Sequence, residues 1–229
     1  MSNKSRKISA VIAAAGKSSR MNLTNAGIDE SKQFAEINGK YVIGRTLEVF
    51  ERSEYIHEII VSARGCDIGR FEQLANGFSK IKSITEGGET RLESVARAVG
   101  RVSQWADYIA VHDGARCFVT LEDIEKVALL AFETDAATAG HKVIDTIKRV
   151  GCDVSRNITE TLERSSLYAV QTPQIFLKKW YLRALENADI NAPDDCYIME
   201  QAGYIVSIAE CSRYNLKVTD RQDLEFWNT

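Results

Sequence analysis

The sequence predicts a doubly wound α/β fold on a mostly parallel sheet. Three observations carry this: short apolar runs recur along the chain, the runs are mostly continuous rather than alternating, and amphipathic helical segments lie between them. A strand covered on both faces has no polar side to show, so an unbroken apolar run is what a buried parallel sheet requires. Strand, helix, strand in succession then implies right-handed crossovers.

The first run, Ile8 to Ala13, follows Lys4, Arg6 and Lys7 and passes into Ala14-Ala15-Gly16-Lys17. Its basic lead and Ala-x-Ala ending mimic a secretory signal. The run is short for that purpose and ends in a strand-to-loop signal, so it is read as a strand. Ala14 to Lys40 is longer than an ordinary βα loop of about 2–6 residues. Ile43, Leu47 and Phe50 then fall at i, i+4 and i+7 on a helix. Ile56 to Ser62 and Ile81 to Thr85 read as strands, and Leu92, Val95, Ala96 and Val99 as a second helical stripe. Tyr108 to His112 is a strand, Leu121, Ile124 and Ala128 mark a third helix, and Ala136 to Ala139 and Tyr204 to Ile208 are further strands. Thr90 with Glu93, Thr120 with Glu122 and Asp123, and Thr219 with Gln222 place a hydroxyl cap ahead of an acid or amide in the first turn. His141 to Thr172, rich in β-branched residues around Gly151-Cys152-Asp153, reads as a protruding hairpin arm. No repeat or linker divides the chain, so residues 1–229 are expected to form one domain with 141–172 as its arm.

Hydrophobic residues make up 45% of the 229 and charged residues 27%, an ordinary globular balance. The net charge of −3 argues against nucleic acid or any other generic polyanion as partner, leaving an anion to be held by a local cation cluster. No apolar stretch approaches the roughly 18 residues needed to span a bilayer. Five cysteines, none in a C-x-x-C pair, and three scattered histidines give no zinc framework and fit a reducing compartment. The protein is therefore expected in the cytoplasm.

In open α/β sheets, ligands bind outside the carboxyl ends of the strands. After the first strand, Ala14-Ala15-Gly16 admits close approach of an anion to the backbone, with Lys17, Arg20 and Lys32 following. Alone, this is equally an exposed basic loop. A P-loop would need glycine where Val11 stands, and the dinucleotide fingerprint is missing. Gly87-Gly88-Glu89-Thr90-Arg91 leads from a strand into a capped helix and offers free amides to a base or phosphate, although alone it is also a plain βα turn. His112-Asp113-Gly114-Ala115-Arg116 closes another strand with an acid suited to a metal or sugar hydroxyls and an arginine suited to phosphate. His112 reads more readily as a packed core histidine than as a base.

Together these residues resemble the 2-C-methyl-D-erythritol 4-phosphate cytidylyltransferase family of the non-mevalonate isoprenoid pathway. The blocks occur in order: Ala14-Ala15-Gly16 through Arg20-Met21, Lys32-Gln33-Phe34, Gly87-Gly88 with Arg91 and Ser94, Val111 to Arg116, Asp145-Thr146-Ile147-Lys148, Arg164 ahead of Gln171-Thr172-Pro173-Gln174, and Asn215 to Thr219. The resemblance implies a Rossmann-like nucleotidyltransferase that joins CTP to a polyol phosphate and releases pyrophosphate. By motif, Arg20, Lys32 and Lys217 are its catalytic cations. Ala14, Ala15 and Gly16 would meet the triphosphate, with Mg²⁺ expected mainly on the CTP phosphates and Asp113 the acid it would approach. Gly87, Gly88, Glu89 and Ser94 belong to the cytidine site, and Asp113 would meet ribose or polyol hydroxyls. Arg116, Thr146, Arg164 and Thr172 would bind the acceptor, with the arm reaching across a homodimer.

The chain departs from the family pattern at Ser18, Glu89, Ser31, Cys117, Pro193 and an insertion around Leu23 to Glu30. A ribitol 5-phosphate cytidylyltransferase, with the same nucleotide half, is the nearest alternative. An inactive nucleotide-binding regulatory domain is the second. Asp145 to Lys148 and Leu162-Glu163-Arg164 favour methylerythritol phosphate. Only two prolines occur in the chain, and their scarcity at Ala13, Ser31 and Cys117 leads to the expectation that Ala14 to Lys40 is ordered by nucleotide phosphates.

Overall fold

The computed structural model describes residues 6–16, 31–151 and 156–227. Their elements run β1 (Ile8–Ala14), β2 (Glu36–Ile37), β3 (Lys40–Tyr41), α1 (Val42–Arg52), β4 (Ile56–Ala63), α2 (Ile68–Ala75), β5 (Ile81–Glu86), α3 (Arg91–Val99), β6 (Tyr108–Asp113), α4 (Leu121–Thr134) and β7 (Ala136–Lys142). After these come β8 (Lys148–Val150), β9 (Ile158–Thr161), β10 (Tyr168–Leu177), α5 (Lys178–Leu185), α6 (Asp195–Gln201), β11 (Ser207–Glu210) and α7 (Arg221–Trp227). Among the described residues the main sheet has seven strands in the order β11-β7-β10-β6-β1-β4-β5.

β1 lies between β4 and β6, parallel to both, and its side chains divide between two cores. Ile8, Ala10 and Ile12 face Ile43, Leu47 and Phe50 of α1 and Ile124 and Ala128 of α4. Val11 faces Val95 and Ala98 of α3 together with Tyr181 and Met199. Both faces are thus buried, which is the physical reason the run lacks alternation. On α3 the expected stripe turns slightly: Ala96 is exposed and Ala98 takes the buried position. Thr90 and Thr120 form full capping boxes with Glu93 and Asp123. At α7 the cap is instead Asp220, whose Oδ1 accepts from the Asp223 amide, so the expected pairing of Thr219 with Gln222 is replaced by two aspartates.

Two other expectations change. Ser207–Glu210 forms the last strand, two to three residues later than the apolar run suggested, because Tyr204 stacks on Trp180 and its amide closes the end of α6 on Met199. The expected boundary of the arm at Thr172 cuts through β10, which runs antiparallel between β6 and β7 in the middle of the sheet. The register of β10 against β7 shifts between Val170 and Gln174, and the Thr172-Pro173 peptide there is cis. Among the described residues β8 and β9 pair only with each other, as a separate antiparallel ladder. The Cys152-Asp153 part of its expected tip lies outside the described residues.

Candidate functional site

Because β1, β4, β5 and β6 are parallel, their carboxyl ends meet along one side of the sheet. After β5 the chain turns at Gly87, whose amide donates to Ala63 O at 2.8 Å. No side chain fits there: a Cβ on Gly87 would stand 2.3 Å from the Ala15 Cβ and 2.8 Å from Ser94 Oγ. The Ser94 hydroxyl accepts from the Gly88 amide at 3.0 Å and donates to Thr90 O at 2.8 Å, so it holds the glycine loop onto α3.

Two clefts open at this edge. The first, of about 320 Å³, is lined by Ala15, Gly16, Lys32, Ser94 and the 88–91 segment. The second, of about 380 Å³, is lined by Arg116, Thr172, Gln174, Pro193 and Asp194 among others. Arg91, Asp113 and Lys217 line both. Asp113 Oδ2 accepts from Lys217 Nζ at 2.8 Å and Oδ1 from Arg91 Nε at 3.2 Å, with Arg116 Nε 3.7 Å away. Burial would push this carboxyl upward, but the charge of Arg91, then of Lys217 and Arg116, holds it far below the usual range. Arg91 also donates from Nη1 to the fully buried Asp195 at 2.7 Å. Asp195 is held from behind by the Tyr181 hydroxyl and by its own amide on Gln174 Oε1 at 3.1 Å. Lys32 Nζ donates to Val218 O at 3.4 Å, which brings it beside the residue following Lys217.

Most of the residues expected from the sequence gather here. Ala15, Gly16, Lys32, Gly88, Glu89, Ser94, Asp113 and Lys217 line the first cleft, and Arg116 and Thr172 the second. Ala14 is buried at the end of β1, and Gly87 supports the wall from beneath. The hydroxyl of Thr172 is engaged on both sides, by the Asp113 amide and by His112 Nδ1, each at 3.0 Å. That places it under the cleft wall as well as in it. Thr146 and Arg164 do not join this group within one chain. Thr146 is exposed, and Arg164 lines a separate hollow of about 440 Å³ with Lys142 and Ile144. Arg20, with the rest of residues 17–30 and the departures at Ser18 and Leu23 to Glu30, lies outside the described residues.

Sequence reading assigned no role to Arg91, Gln174, Tyr181 or Asp195. Arg91 was legible as the first residue after a glycine pair and a threonine cap. Tyr181 was not, because on α5 it continues an apolar stripe. Among the described residues no group of three or more His, Cys, Asp or Glu can hold a metal. No helix there is long and apolar enough to cross a membrane.

The site thus offers backbone amides and a glycine loop in one cleft, arginine and buried polar groups in the next, and a cationic wall between. A profile of the family described as 2-C-methyl-D-erythritol 4-phosphate cytidylyltransferase matches residues 8–228. The protein of that description from Halalkalibacterium halodurans is 39% identical over 224 residues, covering 95% of this chain and 94% of its own. That from Geobacillus kaustophilus is 36% identical over 222 residues, covering 95% and 93%. The structure of 4-diphosphocytidyl-2C-methyl-D-erythritol synthase from Anaerococcus prevotii superposes with a TM-score of 0.85 at 25% identity, over 98% of this chain and 95% of that one.

Proposed function

The chain belongs to the 2-C-methyl-D-erythritol 4-phosphate cytidylyltransferase family, and on that premise we propose how its two clefts carry out the family's reaction. The enzyme transfers the cytidylyl group of CTP to 2-C-methyl-D-erythritol 4-phosphate, forming 4-diphosphocytidyl-2-C-methyl-D-erythritol and pyrophosphate. An acceptor phosphate oxygen bonds to the α-phosphorus while the bond from that phosphorus to the β-phosphate bridge breaks. The acceptor is already an anion at neutral pH, so no general base is needed. The difficulty is anion meeting anion, and the work is alignment and charge neutralisation.

CTP occupies the first cleft, its base on the Gly87-Gly88-Ser94 side and its phosphates toward Ala15, Gly16 and Lys32; Arg20 is the further phosphate-binding cation that the family resemblance implies. The acceptor occupies the second, with its phosphate between Arg116 and Lys217. The observation that carries this reading is the shared wall: Arg91, Asp113 and Lys217 face both clefts, so reactants bound in each meet beside Lys217. Asp113 already faces Arg91 and Lys217, and among the described residues no carboxylates stand beside it in metal-ligand spacing. Mg²⁺ carried on the triphosphate would supply charge neutralisation there, with Asp113 the protein residue that would approach it. The arm carries Thr146 and Arg164 to the site of a second copy in a homodimer. A cytoplasmic location fits Cys66, Cys117, Cys196 and Cys211, all unpaired.

Pyrophosphate release with CTP and Mg²⁺ tests this, comparing methylerythritol phosphate with ribitol 5-phosphate. Methylerythritol phosphate is expected to turn over faster. Faster turnover of ribitol 5-phosphate reverses the acceptor, and CTP binding without turnover of any acceptor indicates a regulatory domain. Turnover that persists in excess chelator removes magnesium.

Gly87→Ala tests the base side. The added methyl would overlap the Ala15 Cβ at 2.3 Å, so the cleft wall must move. CTP binding followed calorimetrically is expected to weaken at least tenfold, with the far-ultraviolet spectrum retained. Unaltered affinity would take the base away from this loop.

A further inference from the structure

His112 takes no part in the transfer just described, yet it lies fully buried at the end of β6, its ring packed on Phe50 with centroids 4.7 Å apart. Its hydrogen bonds fix its protons. Nε2 lies 3.2 Å from the carbonyl oxygen of Arg116, which can only accept, so Nε2 carries the proton and donates. Nδ1 is therefore bare and accepts from the Thr172 hydroxyl at 3.0 Å. A hydroxyl that donates to His112 keeps its lone pairs for the backbone amide of Asp113, which donates to it, also at 3.0 Å. Burial, opposed by Asp113 and reinforced by the charges of Arg116 and Lys217, pulls the imidazole down to about 3, so it remains neutral at working pH.

The two ends of this relay serve different places. Asp113 stands in the wall between the clefts, whereas Arg116 lines only the second. The Arg116 amide donates to Asp113 O at 2.9 Å, so His112 closes a turn that the backbone begins. We infer that His112 is a positioning residue for the transfer: through Thr172 it sets the backbone at Asp113, and through the Arg116 carbonyl it sets the turn that aims Arg116 at the acceptor. Thr172, which the family resemblance implies as a phosphate ligand, is on this inference the middle member of the relay. The inference rests on the assignment of CTP to the first cleft and acceptor to the second.

The two ends can be cut separately. In His112→Asn the amide reaches the Nδ1 position, keeping the contact to Thr172 and losing that to Arg116. In His112→Gln it reaches the Nε2 position and does the reverse. His112→Asn is expected to raise the acceptor KM about tenfold and leave CTP affinity, measured by calorimetry, within about twofold. His112→Gln and Thr172→Val are expected to weaken CTP binding about tenfold, whereas Thr172→Ser, which keeps the hydroxyl, stays near wild type. Identical profiles for the two His112 variants would overturn the inference. So would a Thr172→Val enzyme in which only the acceptor KM rises, since that is the behaviour of a direct ligand. The Thr172 pair decides the matter if the His112 variants fail to fold. A wild-type enzyme with no turnover of any acceptor counts against the functional reading; an active wild type whose variants match it counts against His112 alone.

Discussion

Lys217→Ala lowers kcat by about 10²–10³ while CTP affinity changes by less than about threefold. The ammonium sits 2.8 Å from Asp113 Oδ2, its charge matched there. Arg91 and Arg116 also face that carboxylate, so Asp113 stays neutralised when Lys217 turns toward a phosphate. The α-phosphoryl group gathers negative charge as the acceptor oxygen arrives, and an interaction that strengthens at that moment acts on kcat rather than on ground-state binding. Lys32→Ala follows the same direction, because its ammonium is tied to the backbone of the next residue, Val218. Steady-state rates with CTP saturating and separate CTP titrations check both. A kcat within threefold of wild type for Lys217→Ala would remove that lysine from the chemistry.

How the site was legible follows from where its information sits in the chain. β1, β4 and β6 announced themselves because both faces of a parallel strand are buried, so Ile8 to Ala13 and Tyr108 to His112 have no polar alternation to confuse the reading. The glycine and acid at two strand ends are local too, and Gly88 and Asp113 line one cleft, together with Lys217, which the resemblance alone implied. β10 was misread because its inner residues are polar. Gln171, Thr172 and Gln174 are all buried, hydrogen-bonded to Asn215, His112, Asp194 and the Asp195 amide, and those partners lie 20 to 60 residues away in sequence. A polar run containing proline reads as a loop until those partners are known. The same distance hid the role of Asp195, which stands 104 residues from Arg91.

Arg91→Met is expected to cost about 3–5 kcal/mol of folding stability at pH 7, near the lower end because the arginine is partly exposed. Methionine keeps much of the packed stem and removes the charge, leaving the Asp195 carboxylate at 0% exposure with the Tyr181 hydroxyl but no cation at 2.7 Å. Asp113 keeps Lys217 and Arg116 and loses the cation that contributes most to its depressed pKa. A carboxyl held below its unfolded value stabilises the fold above that value, about 3.9, and the contribution fades as pH falls through the folded value. Removing Arg91 raises the folded value, so the deficit of the variant is full at neutral pH and narrows only as pH falls through that raised folded value. Asp195→Asn added to Arg91→Met is expected to recover part of the loss at pH 7, because a buried amide without a cation costs less than a buried carboxylate. Urea unfolding of the three proteins at pH 7 reads all of this. A loss under about 1 kcal/mol, or no recovery on adding Asp195→Asn, would mean that Arg91 contributes to the cleft wall by packing rather than by joining its two acids.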